Sequence, residues 1–254
     1  MRQADLRKEC EMTGCVRRVK SADHNLPLVL IPGFMGTALS WRYQMAFFRT
    51  HRQVIVPNQH YALTRISDMA HVVAATLPQC FDLVGWSMGG YIAFELYSIV
   101  ATRIRRFILI STTARPETPM ARAGRGELLR NIERDGIRAV YTREINRELT
   151  EPGRVDTAFK DALVTDIVTL GDQILRNQID ALVTRADSRS MLGQIDCDVL
   201  VLGGRKDLIT PVECLEELAA LMPRAALTIL DDVGHCSPWE MPDDVNRLVE
   251  AFLL

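Results

Sequence analysis

The sequence lacks a strong net charge, a long apolar run and a regular cysteine pattern. Its 30 Lys and Arg against 32 Asp and Glu give a formal net charge of −2, so there is no net positive field of the kind that dominates binding to a phosphate backbone. We therefore expect no nucleic-acid partner. No apolar run has the roughly 20 residues that span a bilayer, and residues 1–20 mix charges without the apolar core of a signal peptide. These absences predict a cytoplasmic protein with no membrane span.

The six cysteines are scattered, with no CxxC pair and no Cys/His ligand spacing. A chain of 254 residues can bury a sizeable core without disulfides. We therefore expect free thiols and no metal site. Cys10 and Cys15 are close enough in sequence for a local disulfide or half of a metal site, but no second half-site follows.

Length and composition predict one domain over residues 1–254. Hydrophobic residues make up 48% and charged residues 24% of the chain, which is ample for one large core. There is no internal repeat or low-complexity tract, and single α/β domains often reach about 250 residues.

Short apolar runs that end in turns predict a parallel sheet covered on both faces. They occupy residues 28–31, 54–56, 81–84, 107–110, 199–202 and 227–230. Stretches with helical spacing alternate with these runs, at residues 41–48, 66–77, 88–100, 212–221 and 245–253. Such alternation is typical of an α/β fold with helices on both faces of the sheet.

Residues 113–192, hereafter the insertion, have no clear strand and carry helical patterning, so we expect a helical cap over the sheet. Residues 115–154 contain nine Arg and seven Asp plus Glu. Solvated helix faces with intrahelical ion pairs are the favoured interpretation of this pattern. A docking surface for an acidic partner is the alternative.

The strongest chemical signal is the GxSxG segment at residues 85–89. It follows the apolar run 81–84 directly and opens the helical stretch 88–100. A serine on a sharp strand-to-helix turn needs small neighbours on both sides, because backbone and helix approach closely there. The helix N-terminus also favours negative charge that develops on the substrate. Ser87 is therefore the predicted nucleophile.

A serine nucleophile needs a base, and the base needs a carboxylate that orients it. Of five histidines, only His235 follows a predicted strand at the carboxyl edge of the sheet, where Ser87 also lies; the other four favour surface or loop roles. Asp207 lies in the loop after run 199–202 at the same edge. Its rivals are Asp196, Asp198, Asp231 and Asp232. The order Ser, Asp, His is that expected for this type of sheet.

The tetrahedral intermediate of acyl transfer needs hydrogen-bond donors already in place. We expect one to be the backbone N–H of Met88. The other comes from the loop at residues 32–34, where proline has no N–H and Phe34 is the predicted donor. A glycine in this loop would let it pass close to the substrate. The predicted pocket lining includes Gly33, Met35 and Trp86.

These segments resemble the α/β-hydrolase superfamily over residues 27–254, most specifically at 30–34, 85–90, 204–207 and 234–235. Within it the chain is similar to small esterase-like bacterial hydrolases, enol-lactonase-type members included. It is also similar to the carboxylesterases that cleave the methyl ester of pimeloyl-acyl carrier protein. The resemblance implies an α/β-hydrolase fold and, for the last family, an acidic acyl carrier protein docked on a basic cap. Many members carry His-Gly where this chain has Pro32 and Gly33.

The sequence thus predicts hydrolysis of a carboxylic ester or a related acyl bond, without metal or organic cofactor, through an acyl intermediate on Ser87. The substrate is expected to be a small ester or acyl compound. Lactone, thioester or carbon–carbon cleavage, and perhydrolysis, use the same three side chains and stay open. A binding protein that keeps the fold without turnover is the alternative from another class.

Overall fold

A sheet of six parallel strands forms the centre of the molecule. The computed structural model describes residues 25–254, so Cys10, Cys15 and His24 lie outside the described residues. The strands are β1 (Leu28–Ile31), β2 (Val54–Ile55), β3 (Phe81–Trp86), β4 (Ile104–Ile110), β5 (Asp198–Gly204) and β6 (Ala225–Leu230). Their order is β2-β1-β3-β4-β5-β6, with every neighbouring pair parallel. The carboxyl ends of all six strands therefore meet at one edge.

Helices connect these strands, in the alternation that the sequence predicts. They are α1 (Arg42–Phe48), α2 (Ile66–Ala74), α3 (Met88–Val100), α4 (Pro119–Asp135), α5 (Ile137–Glu148), α6 (Thr157–Val183), α7 (Arg189–Leu192), α8 (Val212–Leu221), α9 (Ser237–Glu240) and α10 (Pro242–Leu253). Short 3₁₀ turns occupy Ala38–Trp41, Ala101–Arg103 and Pro152–Arg154. Within residues 25–254, no helix is both long and apolar enough to cross a membrane.

The core has two layers because successive side chains of a strand point to opposite faces of the sheet. In β1, Val29 and Ile31 pack into the layer that contains α2, α3 and α8. Leu28 and Leu30 pack into the other layer, with α1, α10 and helices of the insertion. All four side chains are buried. Helices therefore cover both faces of the sheet, and the apolar runs are strands buried on both sides.

β4 begins at Ile104, before the apolar run at 107–110. The run does not indicate this start because the first part of the strand contains arginines, and the charge of Arg105 is paired. Arg105 donates to both carboxylate oxygens of Asp82, at 2.8 and 2.6 Å. Arg52 donates to the same carboxylate at 3.2 Å, and Asp82 is fully buried. The buried charge is tolerated because it is paired and hydrogen-bonded.

Four helices of the insertion, α4 to α7, lie between β4 and β5. Gly171 interrupts α6 with a φ of 80°, a value that glycine adopts at little cost. Apolar residues of α4 to α6, such as Ile132, Val140 and Phe159, pack into one layer of the core. The insertion is thereby held against the main sheet and can form a wall of a site at its edge.

Candidate active site

Ser87 occupies the turn between β3 and α3. Its φ is 54°, in the left-handed region that residues with a side chain rarely adopt. The turn is held on both sides: the Ser87 N–H donates to the Ile110 carbonyl at 2.9 Å, and the Ser87 carbonyl accepts from Thr112 Oγ1 at 2.8 Å. The strained backbone is thus fixed by hydrogen bonds, and it directs the hydroxyl out from the sheet edge.

The glycines of the segment are required by close backbone contacts. A Cβ added at Gly85 would lie 2.7 Å from the Gly89 carbonyl oxygen, and one at Gly89 would overlap the carbonyl of Ile31. These neighbours are backbone atoms that cannot move aside. The helix α3 can therefore approach β3 and β1 this closely only with glycine at these positions.

The structure brings the three predicted side chains together at the carboxyl edge of the sheet. His235 Nε2 lies 3.0 Å from Ser87 Oγ, and His235 Nδ1 lies 2.9 Å from Asp207 Oδ2. A carboxylate only accepts hydrogen bonds, so Nδ1 carries the proton and Nε2 is the acceptor for the serine hydroxyl. This arrangement can take a proton from Ser87.

Asp207 is held in place by its own loop. Its second oxygen, Oδ1, accepts from the backbone N–H groups of Ile209 and Thr210, both at 2.8 Å, and its side chain is fully buried. The rival carboxylates lie elsewhere: Asp231 and Asp232 are exposed and pair with Arg205 and Lys206. Sequence patterns did not indicate the two N–H donors, which depend on the conformation of the loop.

The electrostatics of His235 combine two opposing effects. Burial lowers the pKa of His235, but its hydrogen bond to Asp207 and the charge of that carboxylate outweigh burial, with Glu148 contributing in the same direction. The net pKa of His235 is raised. The protonated form of the imidazole is therefore stabilised.

The loop after β1 passes directly beside Ser87. A Cβ placed on Gly33 would lie 3.4 Å from the Ser87 Cβ, and Phe34 follows it in the same loop. Met35 has a φ of 53°, and its N–H donates to the buried Gln178 Oε1 at 2.8 Å. The insertion thus fixes the loop through Gln178, a residue that sequence reasoning missed although it lies in the apolar stripe of α6.

A pocket of about 100 Å³ lies between this sheet edge and the insertion. The predicted residues Gly33, Met35 and Trp86 all line it, together with Phe34, Ser87 and His235. Trp86 Nε1 donates to the His235 carbonyl at 3.1 Å, which joins the pocket wall to the base. Met88, the first residue of α3, is buried behind the nucleophile.

The insertion contributes polar side chains to the pocket that sequence reasoning missed. They are Arg125, Tyr141, Glu148 and Asp166. Burial raises the pKa of Glu148, and Asp166 accepts a hydrogen bond from Thr37 Oγ1. A sequence signal that could have indicated such residues is a polar side chain at a helix position where the periodicity predicts an apolar one, as at Glu148 between Ile145 and Leu149.

The remaining described histidines lie outside this site. His51 and His71 are exposed. His60 is in a loop, as expected, but it is buried, and burial lowers its pKa to about 4. It is therefore neutral near pH 7. Cys197, Cys214 and Cys236 carry free thiols.

Most exposed arginines of the insertion form local ion pairs. Arg134 and Arg143 pair with Asp135, Arg147 with Glu144, Arg154 with Glu151 and Arg176 with Glu133. This is the pattern of solvated helix faces. Arg138 is exposed and donates to Thr165 Oγ1 at 3.4 Å; among residues 25–254 it has no ion-pair partner.

Comparison with known proteins identifies relatives over nearly the whole described region. A family model described as "Alpha/beta hydrolase family" matches residues 28–248, which include Ser87, Asp207 and His235. The pimeloyl-[acyl-carrier protein] methyl ester esterase of Nitrosomonas europaea is 28% identical over 219 residues, covering 80% of this chain and 84% of its own. That of Serratia marcescens is 26% identical over 243 residues, covering 89% and 93%. The crystal structure of the enol-lactonase from Burkholderia xenovorans LB400 superimposes with a TM-score of 0.78 at 24% identity, covering 93% of this chain and 95% of that one.

Proposed function

Because the chain belongs to the α/β hydrolase family and is therefore a hydrolase, we propose that it cleaves a carboxylic ester through an acyl intermediate on Ser87. The observation that carries this proposal is the continuous relay from Ser87 Oγ through His235 to Asp207, with hydrogen bonds of 3.0 and 2.9 Å. The alternative of a binding protein without turnover leaves this relay, and the strained turn at Ser87, without a purpose.

In the acylation half, Ser87 Oγ attacks the ester carbonyl carbon while His235 Nε2 takes the hydroxyl proton. Asp207 stabilises the imidazolium that results. The tetrahedral intermediate then expels the alcohol, which receives the proton from Nε2. In the second half, Nε2 takes a proton from water as the water oxygen attacks the acyl carbon, and the proton returns to Ser87 Oγ when the acid leaves.

The oxyanion of each tetrahedral intermediate would be bound by the backbone N–H groups of Phe34 and Met88. Two features support this assignment. Met88 is the first residue of α3, so its N–H has no acceptor within the helix. The Gly33 backbone is close to the Ser87 side chain, which brings the next peptide unit, that of Phe34, towards the reacting carbonyl.

Labelling with a fluorophosphonate probe tests the nucleophile. We expect the purified protein to be labelled and Ser87→Ala to abolish labelling, because the probe reacts with activated serines. Ser98→Ala is the matched control, since Ser98 is an exposed serine on the same helix and its variant should be labelled like the wild type. Absence of labelling in the wild type would favour the binding-protein alternative.

The acyl group and bond type are tested by hydrolysis of p-nitrophenyl esters of graded chain length alongside lactones. A sharp optimum among the esters is expected, because the pocket is confined by the insertion. Faster turnover of lactones than of every ester would contradict the ester assignment while leaving Ser87 as nucleophile.

A methyl ester borne by an acyl carrier protein is a second candidate substrate. Both relatives named above are pimeloyl-[acyl-carrier protein] methyl ester esterases. The exposed guanidinium of Arg138 can attract an acidic carrier. We expect a higher kcat/KM for the carrier-bound ester than for the same acyl methyl ester on a small thiol, and Arg138→Glu should lower only the former. Equal kcat/KM values for the carrier-bound ester and the ester on the small thiol would contradict a role for the carrier protein.

A further inference from the structure

The part of the pocket wall that the insertion forms carries polar side chains on two helices. Arg125 lies on α4, and Tyr141 and Glu148 lie on α5; all three line the same cavity as Ser87 and His235. Arg125 and Tyr141 are not among the hydrogen-bonded residues Ser87, His235 and Asp207. Because they line the cavity from the insertion and not from the sheet edge, they are candidates to contact a part of the substrate other than the scissile ester.

Two of these side chains have a polar atom without a hydrogen-bond partner among the described residues. Tyr141 is 94% buried, with 6% of its surface exposed, and among residues 25–254 neither its hydroxyl nor Nε of Arg125 has a hydrogen-bond acceptor or donor. A buried polar group without a partner costs free energy that folding does not recover. Such groups in a pocket wall are explained if a ligand supplies the missing atoms.

Arg125 carries charge that is only partly balanced. Its Nε lies 3.8 Å from Oε1 of Glu117, beyond hydrogen-bond distance, and the same carboxylate also contacts Arg185. Two guanidinium groups therefore share one carboxylate. Arg125 also stacks over the Phe34 ring, with its guanidinium carbon 5.0 Å from the ring centroid, which keeps it close to the loop beside Ser87.

Two acidic residues also line this wall. Asp166 accepts from the Thr37 hydroxyl, and burial raises the pKa of Glu148. The Arg125 guanidinium and the Tyr141 phenol are groups of the wall that can donate hydrogen bonds, which suits an oxygen acceptor.

We propose that Arg125 and Tyr141 form a second binding subsite, which takes a carbonyl or carboxylate oxygen that the acyl chain carries away from the scissile ester. The subsite rests on the proposed ester hydrolysis and narrows its substrates to acyl groups with two oxygen functions. An acyl chain that binds here spans the cavity between Ser87 and the insertion.

A set of methyl esters tests the subsite at each of several chain lengths: the monoester of a simple fatty acid, the dimethyl ester of the dicarboxylic acid of equal length, and its monomethyl ester. We expect the best ester with a second oxygen function to exceed the plain ester by about 10-fold or more in kcat/KM, chiefly through a lower KM, because hydrogen bonds to a charged donor are strong. Preference for the dimethyl ester identifies a carbonyl, and preference for the monomethyl ester identifies a carboxylate. Equal values throughout overturn the subsite.

Substitutions test whether Arg125 and Tyr141 cause the preference for esters with a second oxygen function. Arg125→Gln and Tyr141→Phe should bring the ratio of kcat/KM values towards unity. Arg130→Gln removes the same charge from an exposed position of the same helix and should leave the ratio as in the wild type. A ratio that survives both pocket substitutions overturns the assignment of these residues.

These experiments distinguish an error in the proposed subsite from an error in the proposed hydrolase activity. If the plain ester is hydrolysed at a rate equal to the others, only the subsite is lost. If no ester is turned over, protection of Ser87 from fluorophosphonate labelling by the same esters provides the comparison, and equal protection again overturns the subsite. If Ser87 is also not labelled, the proposed function fails with it.

Discussion

The two walls of the pocket differ in how completely their polar groups are satisfied. At the sheet edge, Ser87, His235 and Asp207 form a continuous relay, and Asp207 Oδ1 accepts two further N–H groups. On the insertion side, the Tyr141 hydroxyl and Arg125 Nε have no hydrogen-bond partner among the described residues. The side chains of Ser87, His235 and Asp207 are hydrogen-bonded within the protein, whereas side chains of the insertion have unused hydrogen-bonding capacity.

Under the proposed function, the two walls of the pocket would have different roles. Ser87, His235 and Asp207 would stabilise the charges of acyl transfer for any ester that reaches them. The donors on the insertion would discriminate between esters by the other groups that the substrate carries. Substitutions at the sheet edge should therefore change turnover of every substrate, and substitutions in the insertion should change the ranking of substrates.

Loss of the base gives the largest expected effect. His235→Ala should lower kcat on the order of 10⁴- to 10⁶-fold, since the serine hydroxyl then has no proton acceptor. Steady-state hydrolysis of the best p-nitrophenyl ester measures it. His71→Ala is the control, because His71 is exposed on α2. A fall of less than about tenfold in His235→Ala would contradict the role of the relay.

Loss of the orienting carboxylate comes next. Asp207→Asn should lower kcat by about 10⁴-fold, because an amide does not fix the tautomer of His235 or stabilise the imidazolium. The exposed pair Asp232 with Lys206 offers a control, and Asp232→Asn should retain wild-type kcat. Similar losses in both variants would place the effect outside the relay.

The pH dependence follows from the raised pKa of His235. Only neutral His235 accepts the serine proton, so kcat/KM should rise with pH, with a midpoint above the ordinary value of about 6.5. Asp207 and Glu148 both raise this pKa, so Glu148→Gln should move the midpoint to lower pH. Initial rates between mildly acidic and mildly alkaline pH measure it; a midpoint below that of free histidine would contradict the assigned electrostatics.

The sequence alone was sufficient to predict the sheet and its carboxyl edge. Continuous apolar runs predicted all six strands, and the family match together with the parallel sheet confirms the predicted α/β-hydrolase fold. Ser87, Asp207 and His235 were predicted as site residues because each follows a strand, and the structure brings their side chains together because the topology brings the strand ends together. Their catalytic roles, the cytoplasmic location and the single domain stay predictions.

The insertion wall could not be predicted in the same way. Helical periodicity shows which face of a helix is apolar, but it does not show which part of that face covers a pocket. Gln178 and Glu148 are polar residues in the apolar stripes of α6 and α5. Their contacts join residues far apart in sequence, such as Met35 with Gln178, and no local signal encodes them.

Packing between α3 and the sheet and packing at the exposed surface of α4 should respond differently to one added methyl group. Gly89→Ala should lower the free energy of unfolding by about 1–3 kcal/mol or more, since its Cβ would overlap the Ile31 carbonyl. Gly124→Ala, on α4 with nothing within 4 Å of its Cβ, should raise it by about 0.5–1 kcal/mol. Urea unfolding of both variants measures the contrast, and equal changes would contradict the close approach of α3 to β1.

The smallest expected effect tests the unused donor directly. Tyr141→Phe should leave the free energy of unfolding unchanged or raise it by up to about 1 kcal/mol, because it removes a buried hydroxyl that has no partner. Tyr97→Phe is the matched control: its hydroxyl donates to Asp196 Oδ1 at 2.9 Å and accepts from the Asp196 N–H at 3.0 Å, so its loss should cost about 1–2 kcal/mol. Denaturant unfolding without substrate compares the two. If Tyr141→Phe destabilises the protein as much as Tyr97→Phe, the hydroxyl is satisfied by the fold, and the two walls of the pocket do not differ in the way described.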